Sequence, residues 1–185
     1  LTFSDVPVEG LQIQLGRQKY RDEERRFLLD ETLDGVRLLY ENEPFVIDAS
    51  VSREQIVDKD LLNADKRIPH VNYYVLSADY SLSDSVQVGG YFFFADDRSQ
   101  DDSELALLGL RSSGSLDESW KYWADLSHAH GEGGETDISG FAVDTALTYV
   151  FELPFEPSIS FGYAWGSGDS DPDDDTDNAY RQSGI

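Results

Sequence analysis

Apolar and polar side chains alternate along several stretches of this chain, and the links between these stretches run alternately short and long. In residues 120–127 (WKYWADLS), Trp120, Tyr122 and Leu126 fall on one face, and Lys121 and Asp125 fall on the other. A period of two is typical of a β-strand with two unlike faces. Antiparallel strands that cross a bilayer, with tight turns on one side and longer loops on the other, produce this rhythm in bacterial outer-membrane barrels. The pattern therefore predicts an all-β protein, an antiparallel up-and-down transmembrane β-barrel.

Nine strands follow from the alternation, and the whole of residues 1–185 is one barrel segment. The predicted strands are residues 11–18, 35–41, 45–53, 70–80, 86–95, 104–112, 120–127, 141–151 and 159–165. The predicted long loops lie near residues 19–34, 54–69, 96–103, 129–139 and 167–180. An odd number of strands leaves an edge that cannot face lipid, and bacterial single-chain barrels use even numbers. We therefore expect a tenth strand to begin near residues 181–185, and further strands to come from more chain or from a partner copy.

Composition narrows the class further. The chain has 37 acidic and 14 basic residues, a net charge of −23, which argues against a nucleic-acid partner because such proteins present basic surface to phosphate. Ten Tyr, ten Phe and three Trp are enough for the aromatic girdles of a barrel. No window approaches the run of about eighteen apolar residues that a transmembrane helix needs. No nucleophile elbow or phosphate-binding loop is present, so we expect no enzymatic activity.

Charged residues on the polar faces of the predicted strands would collect in the lumen. These residues are Arg37, Glu41, Asp48, Arg111, Lys121, Asp125 and Asp144. Rings of basic side chains favour anions and rings of carboxylates favour cations, so one interpretation is a selectivity lining. The other is that the charges neutralise one another in cross-strand pairs. A second basic group, the run Arg17, Lys19, Arg21, Arg25 and Arg26, either guides an anionic polymer or belongs to a salt-bridged surface loop.

Two groups of residues are weak candidates for a metal site. Asp169, Asp171 and Asp173 recur at every second position and could gather a hard cation such as Ca²⁺, although the EF-hand pattern is absent. The alternative is a hydrated acidic loop. His128 and His130, with Glu132, alternate in a similar way and could suit a borderline metal. Apart from this possible Ca²⁺, no cofactor is expected.

Three segments carry a family resemblance. Residues 16–41 (GRQKYRDEERRFLLDETLDGVRLLYE), 161–169 (FGYAWGSGD) and 179–185 (AYRQSGI) resemble the alginate export family of outer-membrane porins. The resemblance implies a monomeric barrel of about eighteen strands, of which this chain supplies about half, with a lumen lined by basic side chains. By position in the matched segment, the implied substrate contacts are Arg17, Lys19, Arg21 and Arg37. Strand parity adds Arg53, Arg111 and Lys121, while the lumen carboxylates Asp48, Asp125 and Asp144 depart from a purely anion-attracting lining.

The predicted function is therefore passive export of an anionic, alginate-like exopolysaccharide through a porin of the bacterial outer membrane. Basic lumen groups would attract uronate carboxylates by weak, multiple contacts, because tight binding at any one site would stop conduction. The expected partners are the polymer, outer-membrane lipid and periplasmic proteins of an export complex. Two alternatives remain: a soluble β-sandwich or jelly-roll module that binds carbohydrate, and a polysaccharide lyase or hydrolase on such a scaffold.

Overall fold

The chain forms a meander of antiparallel strands. The structure, a computed structural model, describes residues 1–21, 30–54, 59–60, 63–67, 71–98, 103–171 and 173–181. The strands are β1 (Thr2–Ser4), β2 (Leu11–Arg21), β3 (Asp30–Asn42), β4 (Phe45–Arg53), β5 (Lys59–Asp60), β6 (Asn63–Arg67), β7 (Val71–Ser83), β8 (Val86–Asp97), β9 (Ser103–Ser115), β10 (Trp120–Gly133), β11 (Thr136–Val150), β12 (Ser158–Gly166) and β13 (Thr176–Asp177). In the part of the chain that is described, no helix is long and apolar enough to cross a membrane.

One sheet contains almost all of these strands. Its order is β1-β2-β3-β4-β7-β8-β9-β10-β11-β12, every neighbouring pair is antiparallel, and β13 adds a short parallel pairing to β11. The strands β5 and β6 form a separate two-stranded sheet in the link between β4 and β7. Strands that pair in chain order make an up-and-down architecture, so the predicted fold class is confirmed. The predicted start of a tenth strand falls on residues 181–185, of which only Arg181 is described, and it is outside any strand.

Several strands run further into the predicted loops than the alternation indicated. The largest difference is at residues 129–139, where the predicted long loop is wrong: β10 continues to Gly133, β11 begins at Thr136, and the two pair up to the turn. Gly134 has φ 69°, and this left-handed conformation allows a two-residue hairpin turn. Likewise β2 continues to Arg21 and β3 begins at Asp30, because charged side chains are tolerated in a ladder that extends past the apolar zone.

The exposure of the two faces of the sheet is the reverse of that in a soluble protein. Large apolar side chains such as Leu108, Leu110 and Phe161 are exposed, whereas Ser77 and Ser127 on the other face are buried. The face that carries Ser77 and Ser127 is polar in the part nearest the tight turns. Nearer the opposite end it carries an apolar cluster, comprising Tyr20, Leu33, Val71, Tyr73, Phe93, Leu107 and Ala129. We call the exposed face the apolar face and the enclosed face the polar face. A soluble sandwich buries its apolar faces, so this arrangement suits a wall whose outside is lipid.

Glycine on the polar face lets a bulky side chain cross a neighbouring strand. Gly109 of β9 lies opposite Tyr91 of β8, and a Cβ added to Gly109 would be 2.0 Å from the Tyr91 ring atom Cζ. The Tyr91 ring therefore lies over the backbone of β9. Its hydroxyl reaches β10, where it donates a hydrogen bond to Asp125 Oδ1 at 2.9 Å.

Replacing this glycine by alanine should destabilise the sheet. We expect Gly109→Ala to lower the free energy of unfolding by about 1–3 kcal/mol, the usual cost of overpacking, because the Tyr91 ring must move. Urea titration of the refolded protein, followed by the mobility shift between folded and unfolded barrel on gels, measures the change. Gly162→Ala is the matched control, because its Cβ would be no closer than 3.6 Å to any neighbour. Equal stability of the two variants would contradict the packing described here.

Candidate functional site

The first charged pair of the polar face joins β3 to β4. Arg37 Nε donates to Asp48 Oδ1 at 3.0 Å, and Arg37 Nη2 donates to Asp48 Oδ2 at 2.5 Å. Arg37 lies opposite Ser50 in the ladder, so Asp48 is the next residue of β4 on the same face. The two-point geometry matches the flat guanidinium to the carboxylate and fixes the orientation of both groups. The pair therefore presents the arginine at a defined position on the enclosed surface.

The second pair spans three strands. Arg111 of β9 donates from Nε to Asp79 Oδ1 at 2.7 Å, and its Nη2 also contacts Asp79 Oδ2. Between them on β8 lies Gly89, which is opposite both residues in the ladder. A Cβ at Gly89 would be 2.0 Å from Asp79 Oδ1. The absence of a side chain at this position is what allows an ion pair to form across an intervening strand.

In both pairs the carboxylate is more deeply buried than the guanidinium. The side chains of Arg37 and Arg111 are 21% and 16% exposed, whereas those of Asp48 and Asp79 are 9% and 6% exposed. Each pair has no net charge, and the arginine is the more exposed member of each pair. The exposed Lys121 adds a cation on the same face close to the turn between β9 and β10.

Carboxylates continue this row beyond Arg111. In register, Arg111 is opposite Asp125 of β10, and Asp125 is opposite Asp144 of β11. Both carboxylates are partly exposed, and Asp125 accepts the hydrogen bond from Tyr91. Like charges directly opposite one another repel, so the hydroxyl donor and the neighbouring guanidinium stabilise Asp125 in this position. The polar face is therefore mixed in sign, with Arg111 between Asp79 and Asp125 and Arg37 paired with Asp48.

The structure divides the predicted site residues between the two faces. Those on the polar face, as expected, are Arg37, Arg111, Lys121, Asp48, Asp125 and Asp144. The expected lumen position of Arg17, Lys19 and Arg53 is wrong, because they share the face of the exposed apolar side chains. The register position of Arg21 is also on that face, and its side chain lies outside the described residues. The role of all these residues in binding substrate stays a prediction.

The side chains that sequence reasoning missed are Asp79 and Tyr91. Asp79 has the same parity as Ser77 in β7, so alternation alone could have placed it on the polar face. Its partner could not have been found in this way, because Arg111 is two strands away. The glycines at positions 89 and 109 were a usable signal, since glycine in a strand interior often marks a close approach.

The acidic segment after β12 folds back onto the polar face. Tyr180 packs on Gly140 and donates from its hydroxyl to Ser127 Oγ at 2.9 Å. Burial raises the pKa of the Tyr180 phenol, which keeps it protonated and able to donate at neutral pH. The Tyr180 backbone N–H donates to the Ser167 carbonyl at 2.9 Å, and Ser167 Oγ donates to the Asn178 carbonyl at 2.6 Å. These bonds fix the segment against β10 and β11.

Neither candidate metal group forms a ligand set. Among the described residues, no three or more carboxylates or imidazoles are grouped so that they could hold a metal ion. Asp169 and Asp171 instead accept backbone N–H groups within the acidic segment, at 3.5 and 3.4 Å. His128 is on the apolar face, where its ring stacks on Phe141 with centroids 4.3 Å apart. A calcium site in the acidic segment therefore stays a prediction.

The inverted faces, the aromatic pairs on the apolar side and the meander together define the class of protein, an outer-membrane β-barrel. A solved structure of OmpT (in-vitro folded), an outer membrane protein of Vibrio cholerae, has the same fold, with a TM-score of 0.58 and 12% sequence identity over 97% of this chain. The chain spans 58% of that structure. No curated protein matches the sequence.

The chain belongs to the alginate export family, which matches residues 2–183. The predicted family and the predicted location in the bacterial outer membrane are thereby confirmed. Membership of the alginate export family points to a transporter and not to an enzyme. The apolar face is then the lipid side of the wall, and the polar face is the lumen side.

A double-mutant cycle should detect the ion pair that crosses β8. We expect Asp79→Ala to destabilise the protein by about 1–3 kcal/mol, because it leaves the Arg111 guanidinium partly buried without its main partner. Arg111→Ala should cost a similar amount, and the double variant should cost less than the sum of the two. Urea unfolding of the four proteins measures the coupling. Strictly additive effects would show that the two side chains do not interact in solution.

The acidic segment should loosen at low pH. The Ala179 N–H and the Arg181 guanidinium donate to the Asp177 carboxylate and hold its pKa below the ordinary value of 3.8. A lowered folded-state pKa stabilises the segment above pH 3.8, and this stabilisation is lost as the pH falls through the folded-state pKa. The protection factor of the Ala179 amide, which compares its exchange rate with the intrinsic rate at the same pH, should therefore fall in acid.

Asp177→Asn should remove most of this dependence on pH, and Asp173→Asn is the control in the same segment. An unchanged acid response in Asp177→Asn would show that another group is responsible.

Proposed function

We propose that this chain forms part of the wall of an outer-membrane channel that exports an anionic, alginate-like polysaccharide. The observation that carries the proposal is the distribution of the arginines of the polar face. Arg37 and Arg111 are both on the enclosed face, and both present donors above a more deeply buried carboxylate. Membership of the alginate export family supports the same function.

The pairing of the arginines suits transport better than tight binding. A free guanidinium in a narrow lumen would bind each uronate carboxylate strongly and slow its release. In each pair the buried aspartate already takes part of the hydrogen-bonding capacity, so a passing carboxylate meets a weaker site with a defined direction. Several weak sites in succession favour conduction, because the polymer can leave each of them.

The proposed direction of export makes the turn end of the wall the entrance for the polymer. In barrels of this class the tight turns face the periplasm, and Lys121 is exposed on the lumen side next to such a turn. It would be the first cation that an outgoing polyuronate meets on this part of the wall. Periplasmic proteins of an export complex would deliver the polymer to the same end.

Block of single-channel current by polyuronate tests this proposal. The informative variant is Arg37→Gln combined with Asp48→Asn, because it removes the cation without leaving a buried carboxylate unpaired. We expect the full-length double variant, in a planar bilayer, to need about five to ten times more polyuronate for half-block, a loss of roughly 1 kcal/mol. Losing one of several weak contacts should have an effect of this size.

Arg17→Gln is the matched control, since it removes a cation from the lipid side of the same wall. Its half-block concentration should equal that of the wild type, and a neutral polysaccharide of the same length should block all three proteins equally. Equal polyuronate block of the double variant and the wild type would contradict a lumen role for Arg37. Wild-type channels that polyuronate does not block would contradict the proposed substrate.

A further inference from the structure

Arg17 and Arg53, which lie on the lipid side, form part of a regular feature. One register position across eight neighbouring strands carries only polar side chains on the apolar face, and we call it the outward polar row. Its members, from β2 to β11, are Arg17, Asp34, Arg53, Asn72, Asp96, Glu104, Glu132 and Asp137. The adjacent outward position towards the turns is largely apolar, with Leu15, Val36, Val51, Tyr74 and Phe94 on the first five of these strands. The change from apolar to polar within one step marks the edge of the lipid-facing zone.

Aromatic pairs give the height of this edge. At the turn end, Phe45 packs on Tyr80 with ring centroids 5.0 Å apart. At the other end of the apolar face, Tyr74 packs on Phe94 with centroids 5.9 Å apart, directly next to the outward polar row. Aromatic rings of this kind gather towards the interfaces of a barrel. The part of the row on β4, β7 and β8 therefore lies just beyond the last aromatic pair of the apolar face, on the side opposite the tight turns.

Strand tilt separates the basic and the acidic ends of the row. From Phe45 to Arg53 along β4 is about 26 Å, and from Trp120 to Glu132 along β10 is about 40 Å, at about 3.3 Å per residue. With a strand tilt of about 40°, Arg53 lies about 20 Å and Glu132 about 30 Å above the aromatic pairs of the turn end. The apolar band of such a barrel is about 25 Å tall. Arg53 is therefore about 5 Å below the upper edge of this band, within reach of the headgroups for a long side chain, whereas Glu132 is about 5 Å above that edge.

The part of the surface at headgroup level has an excess of positive charge. Arg17, Lys19 and Arg53 lie on the two strands β2 and β4, with Asp34 between them on β3. The Arg17 side chain is 52% exposed and its Nη1 is 3.5 Å from Asp34 Oδ2. We call the three cations the basic strip. Within the described residues, this excess stands out in a chain whose net charge is −23.

A similar cation lies directly after β8. The Arg98 side chain is 70% exposed, and its Nε donates to Asp96 at 3.0 Å. Arg53 Nε donates to Asn72 Oδ1 at 2.8 Å, and Asn72 contacts Asp96 at 3.5 Å. These polar contacts connect Arg53 to Arg98 through Asn72 and Asp96 along the outward polar row.

We propose that the basic strip binds the phosphate groups of an anionic lipid in the outer leaflet. Guanidinium groups match phosphate oxygens by two-point hydrogen bonding, and long basic side chains extend from an apolar surface to the headgroup layer. A polymer inside the lumen cannot reach these residues, because they are on the other side of the wall. The inference needs only the location of the chain in the outer membrane, so it stands independently of the exported substrate.

Lipid binding by the purified full-length protein tests the inference. The probe is a glycolipid with two phosphate groups, titrated in detergent and followed by native mass spectrometry and by the midpoint of thermal unfolding. We expect the variant Arg17→Gln, Lys19→Gln, Arg53→Gln to bind about tenfold more weakly than the wild type and to lose most of the thermal shift. The matched control, Glu104→Gln, Glu132→Gln, Asp137→Asn, changes the acidic end of the same row and should bind as well as the wild type.

Three outcomes would overturn the inference. They are equal binding by the basic-strip variant, equal binding of the glycolipid after its phosphates are removed, and an equal thermal shift from inorganic phosphate alone, which would indicate a site for free anions. If the triple variant does not fold, the single variant Arg17→Gln provides the test, because this side chain is half exposed; we expect about threefold weaker binding, and unchanged affinity would overturn the inference.

Polyuronate block is the independent measurement, and we expect it to be unchanged in the basic-strip variant. A change in block would assign these cations to the polymer and overturn the inference. Failure of polyuronate to block the wild type would contradict the proposed function and leave the lipid titration unaffected.

Discussion

The structure depends on the rule that a backbone polar group in lipid must find its partner within the protein. Each interior strand of the main sheet, from β2 to β11, satisfies it on both edges by pairing with its two neighbours in the meander. Because successive side chains point to opposite faces, the register of this ladder decides which of them meets lipid. A slip of one residue would turn every apolar position into the lumen and every charged position into the hydrocarbon. Register is therefore under strong physical constraint here, and both proposed surfaces follow from it.

The same constraint explains why the net charge of −23 is a poor guide to the lumen. Both arginines of the polar face are paired, and in each pair the carboxylate is more deeply buried than the arginine. Part of the acidic excess lies outside the long strands, for example in residues 169–177, the segment that folds back onto the polar face through Tyr180. A mixed lining of this kind offers direction and weak attraction together, which a uniformly basic wall would not. Glycine contributes by leaving the space through which Arg111 reaches Asp79.

Alternation was sufficient to predict the fold class, because a strand between lipid and water repeats every two residues wherever it crosses. It also indicated the positions of Arg37 and Arg111. The predicted lumen positions of Arg17 and Arg53 were wrong although alternation itself excludes them: Arg17 follows Leu15, and Arg53 follows Val51, on the same face. The hairpin between β10 and β11 was missed for a related reason, since glycine and acidic residues resemble a loop even where they pair. Contacts across two strands need the three-dimensional register and could not be predicted.

Residues of one strand thus face two different environments, the lumen on one side of the wall and the lipid on the other. On β4, Asp48 fixes an arginine on the lumen side, and Arg53, five residues further on, lies at the lipid edge. On β3, Asp34 contacts Arg17 outside while Arg37 faces inward. Because the wall is one sheet thick, a substitution on one face leaves the charge of the other face in place. The proposed contact with a polymer and the proposed attachment to lipid headgroups should therefore respond separately to substitution, provided that the register of the ladder is maintained.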